Sequence, residues 1–378
     1  MENGQLKLID VIEQMCVQKN IRLEPMRVAR DIMNADVRTL TLDHTVKQCL
    51  KFMEARKVRH VPVVDLPYEG ERKPYFVGVV SQRDVLRLNS PDAEGTGKGK
   101  IDQRALHQLL VQIVAHKPKS VSLRTPVQDV ITTMTSNRID MVPVLDDGDL
   151  VGIITTTDLM KLFLRLNEVV RRLCPELEKG GPPVDTASAS STEAKTLFSW
   201  AFRKVQEIMT EQVICLGPQD DLASAIKVLR TEELRHLPIT DEQGKFAGLV
   251  SDRDILRNLP FAGRRPPSPA KKFREDLFAA DPGTTSLQLP LKSIMVRKVS
   301  HILPTCSVSD AAHILVEKKI SCLPVIDEQK KLRGMITVTD LMRELLAAYE
   351  PAEEAGLIAG ESSLPVDRVT STMEHTHF

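Results

Sequence analysis

Four stretches of the chain repeat one pattern of hydrophobic and polar positions. Each stretch contains an amphipathic segment whose apolar residues recur at positions i, i+4 and i+7, the spacing of one face of an α-helix. A residue that can cap a helix precedes each segment: Thr45, Thr125, Asp221 and Ser307. The predicted helical faces are Val46, Leu50 and Met53; Val127, Ile131 and Met134; Leu222, Ile226 and Leu229; and Val308, Ala312 and Leu315.

Two apolar strands follow each predicted helix. The first contains a proline, in HVPVV from His60, MVPVL from Met141, HLPIT from His236 and CLPVI from Cys322. The second carries a signature of Gly, two apolar residues, Ser or Thr, two variable residues and Asp, in VGVVSQRDVL from Val77, VGIITTTDLM from Val151, AGLVSDRDIL from Ala247 and RGMITVTDLM from Arg333. We number these stretches repeats one to four. Each unit is predicted to run strand, helix, strand, hairpin, strand, helix.

The repeats are predicted to work in pairs. A unit of about 60 residues is marginally stable alone, because it buries only about 60% of its unfolded surface. Repeats one and three share Arg-His before the proline strand, whereas repeats two and four have Asp140-Met141 and Ser321-Cys322 there. The alternation indicates that an ancestral pair was duplicated.

The signature has two chemical interpretations. Its Ser or Thr falls where the last helix begins, and free N–H groups and the helix dipole favour an anion there. Its Asp, one helical turn later, can accept hydrogen bonds from two vicinal hydroxyls, so the two together suit a nucleotide. Ser/Thr-x-x-Asp is also close to a capping box, which would serve only the helix itself. Four copies that keep a hydroxyl, then Asp, preceded by Gly, are more than capping requires.

In these motifs the four units resemble cystathionine-β-synthase-type (CBS) domains, which are regulatory domains that pair to form Bateman modules. The resemblance implies an α+β fold of four CBS domains, each a small β-sheet with two flanking helices, forming two pseudo-twofold pairs. The implied divisions are an N-terminal helix (1–27), repeat one (28–89), a linker and helix (90–109), repeat two (110–166), a linker (167–204), repeat three (205–259), a linker (260–290), repeat four (291–349) and a disordered tail (350–378).

The resemblance also implies ligands and the residues that hold them. In that family the clefts between paired sheets commonly hold AMP, ADP, ATP or S-adenosylmethionine. The family pattern places Asp84, Asp158, Asp254 and Asp340 on the ribose hydroxyls, and Ser81, Thr155, Ser251 and Thr337 near the phosphate. It places Arg83, Thr157, Arg253 and Thr339 facing the phosphate, and matches its basic strand positions with Arg59, His60, Arg235 and His236.

Repeats two and four depart from this pattern, because they lack the basic strand residues. We therefore expect repeats one and three to bind phosphorylated adenosine nucleotides, with Mg²⁺ only as a companion of ATP. Repeats two and four are expected to bind weakly, to hold a ligand with an uncharged tail, or to be empty.

Composition and charge argue against several other classes of protein. Among 378 residues, 51 Lys and Arg balance 51 Asp and Glu, so no global field favours nucleic acid or an anionic membrane. The start lacks the pattern of a secretory signal, and no apolar run approaches the roughly 20 residues that span a bilayer. Six scattered cysteines without a Cys-x-x-Cys pair argue against disulfides and zinc. A cytoplasmic location without membrane insertion is expected.

The expected function is that of a non-catalytic regulator. An adenosyl ligand would shift the packing of the repeats, and the changed surface would act on an effector protein supplied in trans. The chain could form a homo-dimer of paired modules or build a similar assembly internally. One alternative is a structural or assembly protein with vestigial sites. Another is a nucleotide phosphohydrolase, for which the sequence offers no candidate base or metal-binding carboxylates.

Overall fold

A computed structural model describes residues 7–65, 74–82, 84–85, 106–175, 198–252, 254–255 and 288–349. It confirms the predicted α+β fold of small sheets with flanking helices. The helices whose bounds are described are α1 Leu8–Gln18, α2 Ala29–Ile32, α3 Val46–Arg56, α4 Val127–Ser136, α5 Thr156–Leu173, α6 Leu222–Thr231, α7 Val308–Lys318 and α8 Val338–Ala347. Residues 82, 84–85, 252 and 254–255, at the signatures of repeats one and three, are also helical and begin the last helix of each. The predicted tail 350–378 and most of the predicted linkers lie outside the described residues.

The strands fall into four small sheets. They are β1 Leu40–Thr41, β2 His60–Asp65, β3 Tyr75–Ser81, β4 Ala115–His116, β5 Val121–Ser122, β6 Met141–Asp146, β7 Asp149–Thr155, β8 His236–Thr240, β9 Phe246–Ser251, β10 Cys322–Ile326 and β11 Leu332–Thr337. Each proline strand forms an antiparallel hairpin with the signature strand of its own repeat: β2 with β3, β6 with β7, β8 with β9, and β10 with β11. The hairpin predicted for each repeat is therefore present.

Each predicted helix before a proline strand forms, and its apolar face is buried. Thr45, Asp221 and Ser307 cap α3, α6 and α7, each accepting a backbone N–H with its side chain. The prediction of Thr125 as the fourth cap is wrong, because α4 begins one residue later with Pro126 at the N-cap. The Thr125 hydroxyl instead accepts the N–H of Ser122 at 2.9 Å, closing the turn before the helix.

Two repeats form each pair by exchanging short entry segments, residues 33–34, 115–116, 209–210 and 295–296. Asn34, near the start of repeat one, exchanges two backbone hydrogen bonds with Ile153 in β7 of repeat two. Reciprocally, β4, near the start of repeat two, pairs with Gly78 and Val79 in β3 of repeat one. Thr210 with Met335, and Val296 with Leu249, repeat the exchange between repeats three and four. The entry segments therefore tie repeat one to two and repeat three to four.

The two pairs pack on each other through two hydrophobic cores. One core combines repeats two and four, and in it α8 packs against α4 and α5. The other combines repeats one and three, with α3 and α6 supplying buried residues such as Leu50 and Ile226. All four repeats of one chain therefore form a single assembly, in which each repeat contacts its partner through the sheets and the other pair through the helices.

The N-terminal segment lies on the side of repeats two and four. Leu8, Ile9 and Ile12 of α1 are buried in that core, and Lys19 donates a hydrogen bond to the carbonyl of Leu173 at the end of α5. The buried hydroxyl of Tyr349, after α8, donates to the carbonyl of Met26 at 3.0 Å. The N-terminal segment thus contacts both pairs.

Candidate functional site

The signature has the same local geometry in all four repeats. One carboxylate oxygen of each Asp accepts both the backbone N–H and the hydroxyl of the Ser or Thr three residues earlier. The hydroxyl-to-carboxylate distances are 2.6 Å for Ser81–Asp84, Thr155–Asp158 and Ser251–Asp254 and 2.7 Å for Thr337–Asp340. The signature therefore closes the start of the last helix in every repeat.

This geometry is the capping arrangement that the sequence left open as an alternative. It holds the Asp carboxylate at the first turn of each helix, where the dipole favours negative charge. Burial differs among the copies: Asp254 and Asp340 are buried, whereas Asp84 and Asp158 are half-buried. Burial raises the pKa of Asp340 although Thr337 donates to it.

The signature glycine makes room for the entry segment of the partner repeat. A Cβ placed on Gly334 would lie 2.6 Å from the carbonyl oxygen of Thr210, and one on Gly248 would lie 2.8 Å from that of Val296. Gly152 faces Met33 and Gly78 faces Ala115 in the same way. The close approach at this glycine is thus made by the neighbouring chain segment, and it serves the pairing of the repeats.

The predicted basic positions lie next to the signature of their own repeat. His60 pairs with Ser81 across the hairpin, and His236 pairs with Ser251. The first residue after the signature hydroxyl donates its N–H to the carbonyl of the residue before the proline strand in every repeat: Gln82 to Arg59, Thr156 to Asp140, Asp252 to Arg235 and Val338 to Ser321. This shared bond fixes the residue before the proline strand at the start of the last helix.

These four residues meet where the four repeats come together. We call Arg59, Asp140, Arg235 and Ser321, one from each repeat, the central polar cluster. Arg59 Nη1 donates to Ser321 Oγ at 2.9 Å, and Arg235 Nη1 contacts Asp140 Oδ2. Arg59 Nη1 lies 3.9 Å from the same Asp140 oxygen. The predicted basic residues therefore face groups of other repeats.

Neighbouring groups extend the central polar cluster. Ser321 Oγ lies 3.2 Å from Nε2 of His236. Burial lowers the pKa of Arg59, although the charge of Asp252 in repeat three opposes that shift. Burial also raises the pKa of Cys322 to about 12. Arg59 thus interacts with polar or charged groups of all three other repeats: Asp140, Asp252 and Ser321.

Of the remaining predicted site residues, the structure describes Thr157 and Thr339. Thr157 is exposed and Thr339 is half-buried. Arg83 and Arg253 lie outside the described residues. In the sequence, Asp140 and Ser321 stand out only because they replace the arginines of repeats one and three. Their position, equivalent to that of Arg59 and Arg235, was the signal that could have placed them in the same cluster.

A groove of about 280 Å³ opens between the sheets of repeats three and four. Phe246 of repeat three and Val299 and Ile326 of repeat four line it, together with the basic residues Arg297, Lys298, His301 and Lys330. The signature residues do not line this groove. This combination of apolar and basic lining residues suits a ligand that joins an apolar part to an anionic group.

The described part of the chain contains neither a metal-binding cluster nor a membrane-spanning helix. No group of three or more His, Cys, Asp or Glu side chains there is arranged to hold a metal ion. None of the helices described is both long enough and apolar enough to cross a membrane.

Comparison with known proteins places the four repeats in one family model. The model of the CBS domain matches residues 29–90, 111–165, 205–260 and 291–347, more than half of the chain. The chain is 26% identical to an uncharacterized protein, MJ1404, from Methanocaldococcus jannaschii; the match covers 85% of this chain and 63% of the relative's length. It is 25% identical to an uncharacterized 33.4 kDa protein encoded in a ribosomal RNA operon of Thermofilum pendens, over 79% of this chain and 85% of that protein.

A solved structure has the same architecture. The crystal structure of protein MJ1225 from Methanocaldococcus jannaschii, proposed as an archaeal homolog of g-AMPK, superposes with a TM-score of 0.61 at 18% sequence identity. The superposition covers 84% of this chain and 99% of that chain. This likeness establishes a shared fold across the repeats.

Proposed function

The chain belongs to the CBS-domain family, with four CBS domains in two modules, and we propose that it is a non-catalytic sensor of adenosyl ligands that signals to an effector protein in trans. AMP, ADP, ATP and S-adenosylmethionine are the candidate ligands, with Mg²⁺ bound only alongside ATP. The ligand would act by favouring one arrangement of the repeats over another, which requires different affinities for the two.

The observation that carries the proposal is the junction of each signature with its basic neighbours. In repeats one and three, a helix start closed by Ser and Asp lies across the hairpin from a His, and an Arg precedes that His. A helix N-terminus, a hydroxyl and two basic side chains together favour a phosphate group. The carboxylates of Asp84 and Asp254 supply hydrogen-bond acceptors for ribose hydroxyls.

Repeats two and four are proposed as the weaker sites. Met141 and Cys322 occupy the positions of the two histidines, and Asp140 and Ser321 those of the two arginines. A carboxylate at this position repels phosphate, and a hydroxyl carries no charge to attract it. The phosphorylated ligands are therefore assigned to repeats one and three.

Calorimetric titration of AMP, ADP and ATP into Asp84→Ala and Asp158→Ala variants tests the proposal. The two substitutions remove the same capping bonds, so they should lower stability by similar amounts, each about 1 kcal/mol. Only Asp84→Ala should lower the nucleotide affinity strongly. Equal losses of affinity in the two variants would contradict the assignment, and products of ATP in chromatography would contradict a non-catalytic role.

One observation favours a second function, that of a structural or assembly protein with vestigial sites. The signature Asp residues already accept hydrogen bonds within their helices, and Arg235 already has Asp140 as an ionic partner. Thermal unfolding with each adenosyl ligand separates the two functions. A ligand at 100 times its dissociation constant adds about 2.7 kcal/mol of stability, whereas vestigial sites would give no shift with any of them.

A further inference from the structure

Asp140 lies between two arginines that belong to different pairs of repeats. Its Oδ2 atom is buried, contacts Arg235 Nη1 and lies 3.9 Å from Arg59 Nη1. The side chains of Arg59 and Arg235 are only 20% and 16% exposed. One carboxylate oxygen therefore faces two largely desolvated guanidinium groups.

The Asp140 carboxylate offsets the repulsion between these two positive charges. Two largely desolvated cations beside one anion would repel each other if the anion were absent, because water screens them poorly. Asp252, which acts on Arg59, is a second negative charge nearby. The fourth member of the central polar cluster, Ser321, carries no charge and bonds to Arg59. Asp140 is the carboxylate that Arg59 and Arg235 share.

An anionic ligand would use the same donors. The guanidinium fork matches carboxylate and phosphate oxygens equally well. A phosphate bound beside Arg59 or Arg235 would therefore share the positive charge of these arginines with Asp140, and it would bind against the negative charge of Asp140.

We propose that Asp140 is a resident counter-anion that competes with ligand phosphate for Arg59 and Arg235, and so determines how strongly the protein prefers phosphorylated to unphosphorylated adenosyl ligands. This inference rests on the proposed ligand-sensing function. It makes repeat two a determinant of specificity for the sites of repeats one and three. Because Asp140 serves arginines of both pairs, a phosphate that displaces it from Arg235 also alters the partner of Arg59. The two sites are therefore coupled through this residue, and such coupling is reciprocal.

The test is the Asp140→Asn variant of the full chain, titrated with AMP, ATP and adenosine by calorimetry. The amide keeps the shape and an acceptor oxygen while it removes the charge. AMP and ATP should bind to this variant at least about tenfold more tightly than to the wild type, because the repulsion between the Asp140 carboxylate and the ligand phosphate is removed. Adenosine, which has no phosphate, should bind within about twofold of its wild-type affinity.

The matched control is Asp147→Asn in the same repeat. Asp147 is exposed in the hairpin turn with φ 49°, a conformation that Asn adopts as readily as Asp. This control removes the same charge from the chain but leaves the central polar cluster intact. It should leave the affinities for all three ligands unchanged.

A purely structural role for Asp140 predicts a different result. In that case Asp140→Asn would lower the melting temperature, and the affinities for AMP and adenosine would fall in parallel. This outcome would overturn the inference. If Asp140→Asn does not fold, Asp140→Ser, which copies the residue at the equivalent position in repeat four, replaces it in the same titrations.

Inorganic pyrophosphate separates failure of this inference from failure of the proposed function. If the wild type binds none of AMP, ADP, ATP, S-adenosylmethionine and adenosine, the proposed function is wrong. Pyrophosphate should still raise the melting temperature of Asp140→Asn more than that of the wild type or of Asp147→Asn. Equal shifts in the three proteins would reject Asp140 as a counter-anion.

Discussion

Burial controls the chemistry of the side chains beside the central polar cluster. Cys322 follows Ser321 directly and begins β10 inside the sheet, where it is 3% exposed. Because a thiolate is poorly solvated there, its pKa rises to about 12, and the nearby charge of Arg59 only partly opposes that shift. Burial likewise raises the pKa of Cys49 in α3 to about 12. Both thiols should be inert at neutral pH.

Thiol alkylation checks this environment. At pH 8 a thiol with a pKa near 12 is ionised to about one part in 10,000, and the thiolate is the reactive form. Iodoacetamide should therefore modify the half-buried Cys306 long before Cys49 or Cys322, as peptide mass spectrometry would show. All three cysteines should react alike after unfolding in urea. Rapid labelling of Cys322 in the native protein would mean that the centre of the assembly opens readily.

The sequence predicts those parts of the site that are local. Ser81 and Asp84 are three residues apart, so helix geometry alone brings them together, and the capping interaction was foreseen as an alternative. Arg59 and Ser321 are 262 residues apart, and their hydrogen bond depends on how the pairs pack. The sequence shows that Asp140 breaks the basic pattern, but not that its carboxylate reaches Arg235.

At the scale of elements, the entry segments decide which repeats form a pair. Their backbone lies against the signature glycine of the partner repeat, so the pair tolerates no side chain there. Gly334→Ala would place a Cβ 2.6 Å from the carbonyl oxygen of Thr210 and 2.9 Å from the sulfur of Met209. The backbone of the entry segment would have to move, and its two hydrogen bonds with Met335 would weaken.

We expect Gly334→Ala to lower the free energy of unfolding by about 1 to 3 kcal/mol, the range typical of overpacking. Gly217→Ala is the matched control, because the nearest atom to a Cβ there is Asp220 Oδ2 at 3.6 Å. Denaturant unfolding followed by circular dichroism measures both variants. The same stability in the two variants would show that the signature glycine is not required for pairing.

Periodicity identifies most elements correctly but not their partners. The apolar spacing from Val46 and Val308 predicts helices that the structure contains, since amphipathic faces are local properties. Periodicity cannot predict that Asn34 pairs with the sheet of repeat two, because a strand of one or two residues has no period. The misplaced cap at Thr125 has a similar origin: the adjacent Pro126 can occupy the N-cap although its side chain forms no capping bond.

At the scale of the whole molecule, the two pairs cover each other's helices. Helix α8 of repeat four packs on α4 and α5 of repeat two, and Leu341 and Leu345 of α8 are fully buried. The other core joins repeats one and three. A protein with one pair per chain would need a second chain to bury such surfaces, whereas this chain supplies both pairs itself.

We therefore expect the protein to be a monomer of 42.2 kDa in native mass spectrometry at micromolar concentration. Leu345→Asp should disrupt this state, because a buried charge without a partner strongly destabilises the packing between the pairs and exposes apolar helix faces. The expected result is a shift to larger species and a lower melting temperature. Leu303→Asp is the matched control, since Leu303 is 39% exposed, and it should remain monomeric. A wild-type mass of twice the chain would show that a further surface joins two copies, and the internal packing of the pairs would then be only part of the assembly.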